Sequence, residues 1–330
     1  YNVYRSTTSG SYGAALATGI LTSEYVDGTA VNGITYYYVV TAVDTSSSES
    51  GYSNEIAATP TAITGDFDIV LGATAIVPDT SPNGVPVYPW FPDGHIAYLP
   101  DLTPGDYQMY WPGSSSYRTI GTSVTAMNDP GPAVIAPGSS GEPDNGGAWL
   151  MSIFRQSGQD MLGFYHLEDH EFPPNQNPDN IAWKSIGVCT SSDNGASWTK
   201  GGQILTSSTP KPSTPTWGGN GDHCVVYDDA NARWVCYYSE HWLQMAVSYD
   251  PNGAPGTWFK YYNGNFTEPG LGGQNSPIPG LQSVPGANPS VHYNTYLKKW
   301  VMVWHSWDAT QGSIWLSTSA DMVNWDTPES

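Results

Sequence analysis

DNGGAWLMSIFRQSGQDMLGFYHLEDHEF (144–172), followed after a polar loop by IAWKSIGVCTSSDNGASW (181–198), is the stretch whose reading decides the fold. It holds three apolar runs of strand length, AWLMSIF, MLGFYHL and WKSIGVC, separated by turn residues and free of any helical stripe. It also holds a carboxylate-rich segment, HLEDHE, and closes on an S-x-D-x-G-x-x-W turn.

Working outward, the same order of parts returns. A first strand follows a small Asp or Asn turn in PDGHIAYLP, PDNGGAWLMS, NGDHCVVYD and GANPSVHYN. An aromatic second strand comes back in YQMYWPG, MLGFYHLEDH, RWVCYYSEHW and KWVMVWHSWD. The third leads into a Ser/Asp turn in YRTIGTS, SIGVCTSSDNGASW, LQMAVSYDPNGAPGTW and SIWLSTSADMVNW. A fourth, PAVIAPG or GGQILTS, follows in the early copies. A four-stranded antiparallel unit repeated roughly every 50 to 80 residues is what a β-propeller blade requires, because each twisted sheet buries its faces only against the next. The expected fold is all-β: a propeller, five-bladed with at least four blades in view, over residues 66–330, with the last copy stopping before its fourth strand.

The rest of the composition agrees. The chain has 330 residues with 14 Trp, 22 Tyr, 36 Gly and 27 Pro, a β-rich and turn-rich inventory. Ten Lys+Arg against 30 Asp+Glu give a net charge of −20, which argues against nucleic acid and anionic lipid as partners and toward a neutral or cationic one. No apolar run reaches the length of a membrane span, so no membrane insertion is expected. Cys224 and Cys236 would face each other across a hairpin if its turn centred on Ala230; a disulfide there and buried free thiols are both open.

Residues 1–60 alternate in period two: VYRS, then YVDGTAVNGITYYYVVTAVD, then ESGYSNEIAATP, with Tyr36 three residues after Gly33. This resembles the fibronectin type III family, which implies a sandwich with a corner tyrosine and an accessory or spacer role; its first two strands are expected to be missing. Residues 61–65 read as a linker.

In an antiparallel unit the start of strand one and the end of strand two emerge at one edge. That edge therefore collects Asp93, Asp144, Asp222 and Asn288 from strand-one starts, and Glu168, Asp169, His170, Glu240, His241, His305 and Asp308 from strand-two ends. Paired carboxylates around a cleft serve glycosidic bond cleavage, one giving a proton and the other attacking or activating water. Glu168 follows an apolar run that would raise its pKa toward general-acid duty, Asp144 is the expected base or nucleophile, and Asp222 the third carboxylate, with Asp93 and Glu240 as further candidates. His170, His223, His241, Trp242, His305 and Trp307 are expected to bind substrate. Trp90 and Trp111 are further stacking candidates, against a plain packing role. The His166-x-x-x-His170 spacing invites a metal, but i and i+4 on an extended strand stand more than roughly 10 Å apart; no metal ligand is assigned, and a calcium ion at the axis is the one cofactor the pattern allows.

The repeat, the S-x-D-x-G-x-x-W turn and the phrases GAWLMSIFRQ, LGFYHLEDH, SIGVCTSSDNGASWTKGGQIL and PSVHYNTYLKKWVMVWHSW resemble the five-bladed propeller glycoside hydrolases, the arabinanase, invertase and sialidase-like group with its Asp box. The resemblance implies a secreted bacterial enzyme acting on a polysaccharide or oligosaccharide, with two Asp and one Glu around the axis. Asp93, Asp144 and Asp222 match by position, with Glu168 or Glu240 as the Glu. Met127-Asn-Asp129-Pro130 echoes the invertase nucleophile motif, but the repeat places it away from the mouth, so Asp129 stays in reserve. Asn288 where an Asp is expected suits the alternative, a carbohydrate-binding or surface-structural propeller without hydrolysis. A lyase using Tyr165 and His166 is a weaker third option.

Overall fold

The computed structural model describes residues 1–21, 25, 27, 29–31, 33–60, 94–123, 126–128, 131–306 and 314–329. Every regular element among them is a strand, and none is a helix. The chain divides into two compact units, Tyr1–Thr74 and Ala75–Ser330.

In the smaller unit β1 (Asn2–Ser6), β2 (Tyr36–Thr41) and β3 (Ile56–Ala58) form one antiparallel sheet in the order β1-β2-β3. Val3, Tyr36 and Val39 are its buried apolar side chains. The Val31 N–H donates to the Tyr36 hydroxyl at 3.1 Å, tying the strand back to the chain five residues upstream. The Arg5 guanidinium lies 4.5 Å over the Tyr36 ring and pairs with Asp27 at 2.7 Å.

The larger unit is a succession of antiparallel sheets. The first is β4 (Ala97–Pro100), β5 (Tyr107–Pro112) and β6 (Ser116–Gly121). The second runs β7 (Gly147–Ser157), β8 (Asp160–Asp169), β9 (Trp183–Ser191) and β10 (Thr199–Leu205), with β11 (Gly218–Gly219) returning parallel to the start of β9. β12 (Gly221–Asp228), β13 (Arg233–Glu240), β14 (Trp242–Ser248), β15 (Trp258–Tyr262) and β16 (Asn265–Pro269) make the third. The fourth is β17 (Ala287–Asn294), β18 (Lys299–His305) and β19 (Ile314–Ser319). PAVIAPG forms no strand and contributes one bridge, Ser116 to Ile135, whereas GGQIL lies within β10. Trp90, Asp93, Asp129, Trp307 and Asp308 lie outside the described residues.

Strand parity sorts the core. Tyr165 and Leu167 of β8 join Ala97, Leu99 and Tyr110 of the first sheet, while Leu162 and Phe164 face Val225, Trp234 and Tyr238 of the third. The other face of the third sheet, with Val235, Tyr237 and Met245, meets Met302 and Trp304 of the fourth. Inner sheets buried on both faces explain why their strands read as continuous apolar runs rather than strict alternation.

Register settles the cysteines. Cys224 stands opposite Tyr237 and Cys236 opposite Val225, one residue off the expected centre. That slip sends the two thiols to opposite faces of the sheet. All three cysteines are free and buried, so of the two readings left open for Cys224 and Cys236 the free thiols hold.

The Ser191–Trp198 turn is closed by its own polar groups. Asp193 Oδ1 accepts from the Ser197 N–H at 2.9 Å and the Ser191 hydroxyl at 2.7 Å, and Ser191 Oγ accepts from the Gly195 N–H at 2.9 Å. Gly195 sits at φ 80°, and a Cβ there would overlap the Tyr110 hydroxyl. Gly195→Ala is therefore expected to cost about 2 kcal/mol, from left-handed strain plus overpacking. Urea unfolding would show it as a lower midpoint at unchanged slope; a midpoint equal to the parent's would contradict it.

Candidate active site

The edge where strand one begins and strand two ends brings together side chains from the second and third sheets. β7 pairs with β8 so that Gly147 faces Glu168, and β12 with β13 so that Gly221 faces Ser239. Between Gly221 and Cys224 the ladder slips by a bulge, and Asp222 takes φ 47° there. Such bulges turn a side chain out of the pleat, here toward the neighbouring sheet. Asn288 holds the matching place in β17, at φ 51° in a bulge.

His166 is the centre of this cluster and is fully buried. Its Nδ1 accepts from the Asp222 backbone N–H at 3.0 Å, so in the neutral ring the proton is on Nε2. Nε2 then faces Glu168 Oε1 at 3.4 Å, and the Trp149 ring stacks on the imidazole with centroids 4.6 Å apart. Asp222 Oδ1 stands 3.7 Å from the same Nδ1. Glu168 Oε2 meets His170 Nε2 at 3.0 Å. Both imidazoles of the His-x-x-x-His spacing thus spend a nitrogen on the carboxylate between them. Among the described residues no group of three His, Cys, Asp or Glu is placed to hold a metal ion.

Burial pushes the Glu168 pKa up, but hydrogen bonds from His166 and His170, with their charge, outweigh it and lower it to about 2. The environment therefore favours the carboxylate, opposite to the direction expected from the apolar run before it. For Asp222, burial again acts upward and loses to Lys184, whose Nζ lies 2.8 Å from Oδ2, with help from His166 and the Ser239 hydroxyl at 3.3 Å. His223 follows Asp222 into the interior with neither ring nitrogen hydrogen-bonded, and burial together with His166 and His95 lowers its pKa to about 3.

Asp144 does not join this group. Its carboxylate is buried and ion-paired with Lys200 of β10, on the Tyr165 side of the second sheet. Glu168 is on the other side, because residues 165 and 168 of one strand point to opposite faces. Glu240, at the end of β13, accepts from Asn220 at 2.9 Å, from Asn275 at 2.7 Å and from Ser207. Lys260 supports that arrangement from below: its fully buried Nζ donates to the Thr206 and Gly273 carbonyls at 2.6 and 3.0 Å, fixing the segments that carry Ser207 and Asn275. His241 is exposed at φ 72° and meets the half-buried Trp242 edge-on at 5.3 Å. His305 ends β18 opposite Ala287. Trp111 is buried and donates to Thr119 Oγ1 at 2.8 Å, a packing position.

The sequence pattern did not single out Lys184, Lys200, Asn220, Ser239 or Lys260. One signal was available: in a chain with only ten Lys+Arg, Lys184 inside the apolar run WKSIGVC demands a buried partner.

Comparison with known proteins adds fold-level likeness. No family model matches the chain. An amylopullulanase of Thermoanaerobacter thermohydrosulfuricus is 43% identical over 60 residues, 18% of this chain, and the chain spans 4% of that relative's length. Among solved structures, a family 117 glycoside hydrolase of Zobellia galactanivorans aligns over 71% of this chain and 69% of its own, with TM-score 0.47 and 14% identity. A GH43 β-1,3-galactosidase aligns over 75% of this chain and 47% of its own, with TM-score 0.51 and 10% identity, a likeness of fold.

Proposed function

We propose that the larger unit is a propeller glycoside hydrolase, the four sheets being blades, and that Glu168, His166, His170 and Asp222 form its reaction centre. The observation that carries this is the convergence of two carboxylates from adjacent sheets on one buried imidazole. Bridged by a single ring, their facing oxygens stand no more than roughly 9 Å apart, a limit compatible with the carboxyl separations that glycosidases use. Glu168, an ionised carboxylate held by imidazoles rather than by a lysine, serves as base or nucleophile. His170, partly exposed and hydrogen-bonded to it, is placed to pass a proton between that carboxylate and a substrate oxygen. Asp222, tied to Lys184, orients His166. The smaller unit is proposed as an accessory module of fibronectin type III kind, a reading supported by the Tyr36 hydroxyl contact with Val31. An extracellular polysaccharide is the proposed substrate.

A second reading, a carbohydrate-binding propeller without hydrolysis, is favoured by one feature: the buried carboxylates of Asp144 and Asp222 are each neutralised by a partly exposed lysine, as structural carboxylates are. Reducing-end release from a panel of neutral polysaccharides separates the two. A β-1,3-linked galactan heads the panel, because one structural neighbour is a β-1,3-galactosidase. Release supports hydrolysis; retention on an immobilised polysaccharide with no release from any polymer establishes the binding reading instead.

A further inference from the structure

The loop before β11 ends on Trp217, whose side chain is 60% exposed although the chain on either side is anchored. Gly218 and Gly219 pair in parallel with Trp183 and Lys184, which in turn face Asp169 and Glu168 across the next ladder. Neighbouring strands lie roughly 4.8 Å apart, so Gly219 stands about 10 Å from Glu168 within the sheet, and Trp217 two residues further along. The close approach at Gly218 is required: a Cβ there would meet the Trp183 ring.

The preceding loop is a strut. Ser207 donates to Glu240 at its base. Lys211 pairs with Asp169, donates to the Glu171 carbonyl and lies 4.3 Å over the Phe172 ring. Asn175 Nδ2 donates to the Ser213 carbonyl at 2.8 Å, and Pro210, Pro212 and Pro215 limit what backbone freedom is left. An indole held out in water by so many fixed points loses little entropy when a ligand covers it.

We infer that Trp217 is a stacking platform for a neutral pyranose ring, lying one to two sugar units from the Glu168–Asp222 centre. This assignment rests on the carbohydrate reading of that centre. The flat apolar face of a pyranose matches one indole, and the net charge of −20 disfavours an anionic polymer. A sugar seated there presents its neighbour along the chain to His170 and Glu168.

The test is affinity electrophoresis of the whole chain through gels containing the panel polysaccharides, a readout independent of turnover. Trp217→Ala is expected to weaken retardation roughly tenfold, and Trp217→Tyr to restore most of it. Tyr296→Ala removes a still more exposed aromatic, 74% exposed in the β17–β18 turn at the opposite edge, and is expected to change nothing. Retardation by Trp217→Ala equal to that of the parent overturns the platform. Loss of binding in Trp217→Ala, in a protein that releases no reducing ends, upholds the platform while removing hydrolysis. A parent chain retarded by no polysaccharide overturns both.

Discussion

Replacing Glu168 with Gln is expected to lower kcat on the responsive polysaccharide by roughly 10²–10⁴-fold, the usual worth of a positioned acid or base. The substitution keeps the shape and one acceptor oxygen between His166 and His170, so the cluster survives while the charge is lost. KM should move little, because Glu168 is only 7% exposed and offers substrate a charge rather than a broad contact. Asp144→Asn gives the contrast. On the far face of the sheet and paired with Lys200, Asp144 is expected to affect stability more than turnover. If Glu168→Gln retained a tenth or more of the parent's kcat while Asp144→Asn abolished it, the centre would have to move to the other face of the second sheet.

The second large effect is acid lability. His223 is fully buried, and its folded pKa of about 3 lies below the ordinary histidine value of 6.5. The folded chain therefore keeps this ring neutral where the unfolded chain protonates it. Stability is whole above the unfolded value and is lost progressively as pH falls from about 6.5 toward 3, by an amount on the order of 4 kcal/mol. Glu168 adds to the loss lower down: its folded pKa of about 2 is depressed from 4.5, so its contribution, present above 4.5, disappears as pH falls through that window. The groups around His223 reinforce the effect: His166 and His95 repel a proton there, while Asp222, committed to Lys184, attracts it only weakly. Urea unfolding at pH 7.0, 6.0 and 5.0 should show a falling free energy, and His223→Gln should flatten that slope. A parent profile level between pH 7.0 and 5.0 would contradict the burial of a neutral ring.

Much of this was legible in the one-dimensional pattern. Strand-length apolar runs between Asp, Asn and Gly turns can bury their faces only as packed antiparallel sheets, so the succession of meanders followed from the repeat. The rule that strand-one starts and strand-two ends share an edge brought Glu168, His170, Asp222 and Glu240 to one rim. Pattern alone does not reach across a sheet or between sheets. Which face a loop residue takes depends on where its chain runs, and the segment before β7 carries Asp144 to the Tyr165 side, away from Glu168. A bulge between Gly221 and Cys224 changes parity in a single step and turns Asp222 toward His166, which no alternation of residue types announces.

The sign of a carboxyl's pKa shift is equally a tertiary property. The apolar neighbours of Glu168 in sequence argue for a raised value, and two imidazoles brought close by the fold reverse it. The sequence by itself determined strand pattern, sheet order and the edge where polar side chains gather, because these follow from local periodicity and chain direction. Only the tertiary structure decided which carboxylates meet, which are neutralised by lysine and which keep their charge, because those outcomes depend on distances of a few ångströms between residues tens of positions apart.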